Sequence, residues 1–304
     1  MGTAELISLQ LRMFLIMLIG LFFRKREIIS EKGKKDLTDL VIYLILPCNI
    51  VKSFQVSFTE ETLKNFGTIL LISICIQLFC AALAKLLYRK IPEGHKPVLM
   101  YATVASNSGF MGNPVAEGVF GQMGLALASI YLIPQRIVMW SAGVSYFTKG
   151  SNRKQVIKRV LTHPCIVAVF LGLALMLTGI KLPSFLDAAL KDIGNCNTAM
   201  SMLVIGTILA EVKPKQMLDK SVLLFSILRL VLIPLVVYIG CSLFVTDSLV
   251  TGVSVLLAAM PAASTTAILA AKYEGDAVYA SKCVVITTVL SLLATPLWSM
   301  ILIQ

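Results

Sequence analysis

Residues Ala105–Gly121 read "ASNSGFMGNPVAEGVFG", and they sit within an otherwise apolar run. Two Asn, one Pro, one Glu and four Gly fall in this stretch. A regular helix tolerates that mixture poorly: in a helix interior Gly costs about 1 kcal/mol and Pro about 3 kcal/mol relative to Ala. The surroundings sharpen the conflict. Of 304 residues, 57% are hydrophobic and 14% charged, with mean hydropathy +0.86. Soluble domains are about a quarter charged. The composition therefore indicates an all-α polytopic membrane protein, with a helix-disfavouring stretch at membrane depth.

Cutting the chain where charges cluster leaves ten apolar runs, each long enough to cross about 30 Å of hydrocarbon as helix. They fall at about 5–23, 37–57, 66–88, 98–120, 123–147, 160–180, 186–210, 221–244, 249–271 and 278–303. The eighth, "SVLLFSILRLVLIPLVVYIGCSLF", is the plainest. The second and seventh open on charged residues (Asp36 and Asp39; Asp187, Lys191 and Asp192). Lys and Arg divide unevenly between the loops. Of the 27, 19 lie on one side, in loops such as "RKREIISEKGKKD" and "KGSNRKQVIKR". Only Lys52, Lys64, Lys181 and Lys191 lie on the other. Basic loops stay in the cytoplasm, so both termini are expected outside, in a multi-pass protein of the cell (inner) membrane. These loops account for the formal charge of +11, and no nucleic-acid partner is needed to explain it.

Residues 1–147 and 160–304 then form two five-helix halves joined by a cytoplasmic linker at 148–159. An odd number of spans per half makes the second half enter from the opposite side. The expected architecture is a 5+5 inverted repeat of ten transmembrane helices, an arrangement common in secondary transporters. The fourth helix of each half is interrupted: "SNSGFMGNPV" in helix four, "LLAAMPAASTTAIL" in helix nine. Pro114 has no N–H to donate, and Gly109 and Gly112 weaken the helix around it. Unwinding is expected over Gly109–Pro114, with a matching break over Met260–Thr266. At this depth, unpaired backbone is tolerated only inside protein or beside a water-filled cavity, so both breaks should face the interior. Asn107, Ser108, Gly109, Asn113 and Pro114, with Pro261, Ser264, Thr265 and Thr266, are the expected substrate-binding residues. Half-helix ends there would offer partial positive charge to an anion. The competing reading is a pair of Pro-kinked packing helices with Gly at close contacts.

"NSGFMGNPVAEGVFG" and "AAMPAASTTAILAAKYEGD" resemble the two crossover segments of the auxin efflux carrier family, which includes plant PIN carriers and bacterial permeases for malate and related acids. "LILPCNIVKSF" resembles the Leu-Pro segment of that family's second helix. The resemblance covers essentially the whole chain. It implies ten helices with helices four and nine broken and crossing, in a panel and crossover domain that alternates against a scaffold, as in bile-acid/sodium symporters. It implies that Asn107 binds the substrate carboxylate and that Pro114 and Pro261 are the crossover prolines. The long cytoplasmic loop of many plant members is absent here, which favours a compact bacterial form over an auxin carrier.

Four cations lie within the apolar runs: Arg12, Arg136, Arg229 and Lys282. A charge at the bilayer centre costs roughly 2.5–3.5 kcal/mol even on the lenient insertion scale, so it usually faces a cavity or a partner. Arg136 follows the first break and Lys282 the second. Arg136 is expected to bind a carboxylate through its planar fork; the rival role is balancing crossed half-helix C-terminal dipoles. Lys282, Glu117 and Asn49 are candidates for coupling or gating, with Asn197 in the helix paired to that of Asn49. Arg12 and Arg229 read as packing or interface residues.

The seven cysteines show no CxxC or ligand spacing, and His95 and His163 are isolated, so neither a metal site nor a cofactor is expected. No Walker A motif is present to couple ATP. No nucleophile, base and orienting residue group together, so the chain does not read as an enzyme. The first helix lacks a basic leader and a clear cleavage site and is expected to be retained. The function expected is a secondary transporter of a small organic anion, a dicarboxylate such as malate or an auxin-like carboxylate, working by alternating access. The expected partners are that carboxylate, the lipid bilayer and a coupling proton or sodium ion, with a homodimer left open. The alternatives are a cation/proton antiporter on the same architecture, which wants an acidic residue in the breaks, and a non-transporting membrane sensor.

Overall fold

Helix dominates wherever the chain is described in the computed structural model: residues 3–55, 59–89, 91–92, 94–147, 158, 161–210, 219–273 and 275–303, with no strand among them. The expected linker at 148–159 lies, but for Lys158, outside the described residues. Helix α1 (Thr3–Lys25) is followed by α2 (Glu31–Leu40), whose first turn is capped where Ser30 Oγ accepts from the Gly33 N–H at 3.0 Å. A wide π turn, Val41–Ile45, leads into α3 (Leu46–Ser53). Then come α4 (Glu60–Leu87), α5 (Lys96–Val104) and, after a π turn at Ser108–Gly112, α6 (Asn113–Val138).

The remaining helices are α7 (Pro164–Thr178), α8 (Ser184–Asn195), α9 (Asn197–Leu209) and α10 (Lys220–Ile227). A π turn at Leu228–Leu232 joins α10 to α11 (Ile233–Phe244). Helices α12 (Ser248–Ala258), α13 (Thr265–Lys272) and α14 (Ala277–Ile303) complete the described chain.

Among the described residues, four helical stretches are long and apolar enough to cross a membrane: Glu60–Leu87, Ser108–Gly143, Lys220–Phe244 and Ala277–Leu302. Pro164–Thr178 and Ser248–Ala258 are apolar but shorter. Within Ser108–Gly143 the helix bends at Gly121, with φ +68° and ψ −160°. That conformation belongs to glycine, and it falls where the sequence separates its fourth and fifth apolar runs. Large side chains such as Phe244, Phe185 and Leu293 point outward while Arg229, Asn113 and a series of Ser and Thr are buried. That inside-out distribution suits a lipid surround, and the chain is a multi-pass membrane protein.

Two packing groups are distinct, and each draws on both halves of the sequence. In the first, α1 runs along α9, and α3 lies against α7 and α8. The α1–α9 contact is backbone on backbone: a Cβ added at Gly20 would strike the Leu203 carbonyl, and one at Gly206 the Met17 carbonyl. Small residues permit such approach between membrane helices. In the second group α4 packs on α6 and α5, α12 on α6 and α11, and α14 on α13 and α10. The groups meet where α3 touches α6 and α1 touches α14.

Candidate anion site at the helix crossing

Both expected interruptions are present, and one is displaced. Helix α12 stops at Ala258 and α13 starts at Thr265, so residues 259–264 are non-helical. Ser264 is the N-cap and Thr265 and Thr266 are already in the helix, which shortens the second break from its expected end. The first break is Ala105–Asn107 rather than Gly109–Pro114. Pro114 lies within the continuous helical stretch Ser108–Gly143, at the junction of the π turn and α6 rather than at a free helix end. The π turn of Ser108–Gly112 takes up the irregularity before it.

The breaks cross. Asn107 N–H donates to Pro261 O at 2.7 Å and Ala263 N–H donates to Ala105 O at 3.0 Å, making an antiparallel bridge between Ser106 and Ala262. Side chains take most of what is left. Gln135 Nε2 donates to Ser106 O at 2.8 Å, Ala262 N–H donates to Thr287 Oγ1 at 3.1 Å, and Ser108 Oγ–H donates to Leu257 O at 3.0 Å. Non-helical backbone is thus paired within the protein, as its depth demands.

Crossing sorts the helix ends by sign. The C-terminal ends of α5 and α12, which carry partial negative charge, meet at Arg229. Its Nε donates to Met260 O at 3.0 Å and its Nη1 to Thr103 O at 3.4 Å, with the side chain 3% exposed. The dipole-balancing role weighed for Arg136 therefore falls to Arg229. Sequence reasoning placed Arg229 among packing residues; its one mark is a cation in an unbroken apolar run. Gln135 was not singled out at all.

The N-terminal ends, with partial positive charge, meet a different cation. Asn107 from the first break, Gly109 and Phe110 from the π turn after it, Ala263 from the second break and Thr265 at the start of α13 line a cavity of about 130 Å3 together with Gln135, Arg136 and His163. Arg136 is 7% exposed, and its Nη1 is buried with no hydrogen-bond partner. A Cβ on Gly109 would lie 3.8 Å from Arg136 Nη2, so the glycine leaves room over the guanidinium. Thr265 Oγ1 accepts from Tyr101 O–H at 3.1 Å. An amide, a guanidinium and two helix N-termini converge on one space, a donor set suited to an anion. Two larger clefts, of about 450 and 480 Å3, are lined almost wholly by apolar side chains and carry no comparable chemistry.

Other residues singled out from the sequence lie elsewhere. Ser108, Asn113, Pro114, Pro261 and Ser264 do not line the cavity; Asn113 is fully buried with both amide atoms unpaired, and Thr266 Oγ1 is buried and unpaired. Lys282 acts on Asp219 at the start of α10 and does not line the cavity. Donation from the Ser221 hydroxyl and N–H holds the Asp219 carboxyl below the usual range, with Lys282 adding to the effect. Glu117 and Asn49 are bonded to each other, Asn49 Nδ2 donating to Glu117 Oε2 at 2.8 Å. Arg12 is exposed. Among the described residues no group of three or more His, Cys, Asp or Glu could hold a metal ion.

Comparison with known proteins agrees with this architecture. The chain belongs to the membrane transport protein family, whose profile matches residues 6–157 and 150–299. This is the family of the auxin efflux carriers. The chain is 27% identical over 300 residues to an uncharacterized transporter of Methanocaldococcus jannaschii, covering 95% of this chain and 96% of that one. It is 24% identical to the uncharacterized transporter YfdV of Escherichia coli, over 95% of each. A Rhizobium meliloti protein provisionally named a malonate transporter is 22% identical over 95% of this chain and 93% of its own.

Proposed function

We propose that the protein is a secondary carrier that moves a small organic dicarboxylate across the cell membrane by alternating access, with the anion bound at the crossing. The observation that carries this is Arg136: a buried guanidinium with a free N–H, facing a cavity shared with Asn107 and two helix N-termini. A carboxylate supplies the missing acceptor, and the helix ends serve a second one. A guanidinium, an amide and helix ends around one cavity can serve both carboxylates of a small diacid. The provisional name of the Rhizobium relative points to the same class.

The rest of the reading follows from the fold. Ten spans in two inverted halves, 1–147 and 160–304, account for packing groups that each combine elements of both halves. The seam between the two profile matches, at 150–157, falls in the linker. The group built on α1, α3, α7, α8 and α9 serves as scaffold, and the group holding the crossing moves against it. Both termini face outward and the chain is no enzyme. Uptake of radiolabelled malonate into proteoliposomes, with malate, succinate and indole-3-acetate as competitors, tests the substrate class. Competition by the diacids and by no monoacid is expected. Uptake indifferent to Arg136→Gln refutes the site.

A further inference from the structure

Glu117 lies at the seam between the two packing groups, bonded across it to Asn49, and does not line the substrate cavity. It lies one turn from Asn113 on α6 and is half-buried. Its two oxygens face different ways. Oε2 accepts from Asn49 Nδ2 of α3 at 2.8 Å, across the seam. Oε1 accepts from Gln122 Nε2 at 3.1 Å, at the exposed bend beside Gly121. A second amide approaches from α9: Asn197 is 1% exposed, its Nδ2 is buried without a partner, and it faces the same carboxylate.

Asn49 and Asn197 hold matching places in the scaffold. Each follows a cysteine (Cys48-Asn49, Cys196-Asn197), and each lies at a discontinuity, after the π turn before α3 or at the α8–α9 junction. Gly194 of α8 comes within 3.2 Å of Asn49 Oδ1 by its would-be Cβ, so the two sites are in contact.

No cation pairs with Glu117 among the described residues. On α3 the nearest charge, Lys52, is engaged by Asp187 of α8 at 2.6 Å. On α9 the neighbour is Ser201, which donates to Asn197 Oδ1 at 3.2 Å. On α1, Leu9 packs over Gly118 and Arg12 is exposed. The carboxylate therefore depends on amide donors, one of which, Asn49, belongs to the opposing group. If the groups slide apart, an ionised Glu117 loses the Asn49 donor, and a half-buried charge short of a donor is costly. Taking one proton from water at the Gly121 bend turns the carboxylate into a neutral acid and removes that cost.

We propose that Glu117 is the proton site that couples movement between the packing groups to pH: ionised while Asn49 donates to it across the seam, protonated when the groups part. This rests on the carrier reading, but its test needs no substrate.

Nitroxide labels at Ile180 and Thr246, one on each group, with exposed Cys75 and Cys196 replaced, report the separation by electron–electron dipolar spectroscopy in nanodiscs. Acidification is expected to shift the wild-type distance distribution. Glu117→Gln abolishes the shift and holds one distribution at every pH. Asn49→Leu keeps the carboxylate, removes a donor and moves the transition to higher pH by about one to two units. A pH-independent wild type overturns the proposal. So does a shift that survives in Glu117→Gln, or a distribution that follows sodium against choline at fixed pH.

Discussion

Two buried arginines flank the crossing, and removing them should move stability in opposite directions. Arg229 is satisfied: Nε and Nη1 reach Met260 O and Thr103 O at 3.0 and 3.4 Å. Arg229→Met strands both carbonyls at the ends of α5 and α12. A hydrogen bond to a charged group is worth about 1.5–3 kcal/mol, and removing one partner of a buried charged pair costs about 3–5 kcal/mol. The second bond is long and the carbonyls carry only partial charge, so the lower figure, about 3 kcal/mol, applies. Chains of 150–250 residues lose about 2–4 °C per kcal/mol; at the low end of that range the midpoint falls by about 6 °C. Arg136 is the reverse case. Its Nη1 is already unpaired, and an unsatisfied buried donor costs about 1–3 kcal/mol. Arg136→Met relieves that cost, so the ligand-free midpoint should hold or rise by a few degrees while anion binding is lost. Thermal unfolding of the detergent-solubilised variants, with and without malonate, is the assay. Equal losses in both variants, or a fall in Arg136→Met as large as in Arg229→Met, would refute the division of labour between the two cations.

Asn107→Ala should leave the fold intact, because the Asn107 N–H bond to Pro261 O is backbone, and should weaken anion binding about 10- to 150-fold; titration of the purified protein measures it. Gly206→Ala should separate α1 from α9, since the new methyl would overlap the Met17 carbonyl; expression and midpoint should fall by more than for Gly67→Ala, where nothing lies within 4 Å. Asp219 caps α10 by accepting from Ser221 N–H at 2.9 Å, and Asp219→Ala should cost about 1 kcal/mol at neutral pH. Its carboxyl is held below the ordinary value of about 3.9. The cap is therefore at full strength above that value and fades as pH falls through the lower folded-state value, so the gap between wild type and variant should close only in strongly acidic buffer.

The sequence announced the interruptions because Pro, Gly and amides are costly in a buried helix and have few other reasons to be there. It misplaced the first by several residues. Pro114 marks the step from the π turn to regular helix inside the second half-helix; the unwound residues, Ala105–Asn107, carry no proline or glycine. Arg136 was legible as a cation beside a break. Arg229 was not, because its partners are backbone carbonyls that leave no trace in the sequence and lie 31 and 126 residues away along the chain. Asn113 shows the converse: an amide in the motif that the fold directs away from the cavity, into full burial. The bend at Gly121 was readable only as a gap between apolar runs, since one glycine replaces the loop expected between two helices.

The bridge between Ser106 and Ala262 has a mechanical consequence. Two backbone hydrogen bonds, Asn107 to Pro261 and Ala263 to Ala105, fasten the half-helices from opposite ends of the chain into one part. Pulling on either half drags the other, and neither can swing aside as an independent flap. In the carrier proposed above, an anion seated there would travel with the fastened pair as one body rather than pass between two hinged doors.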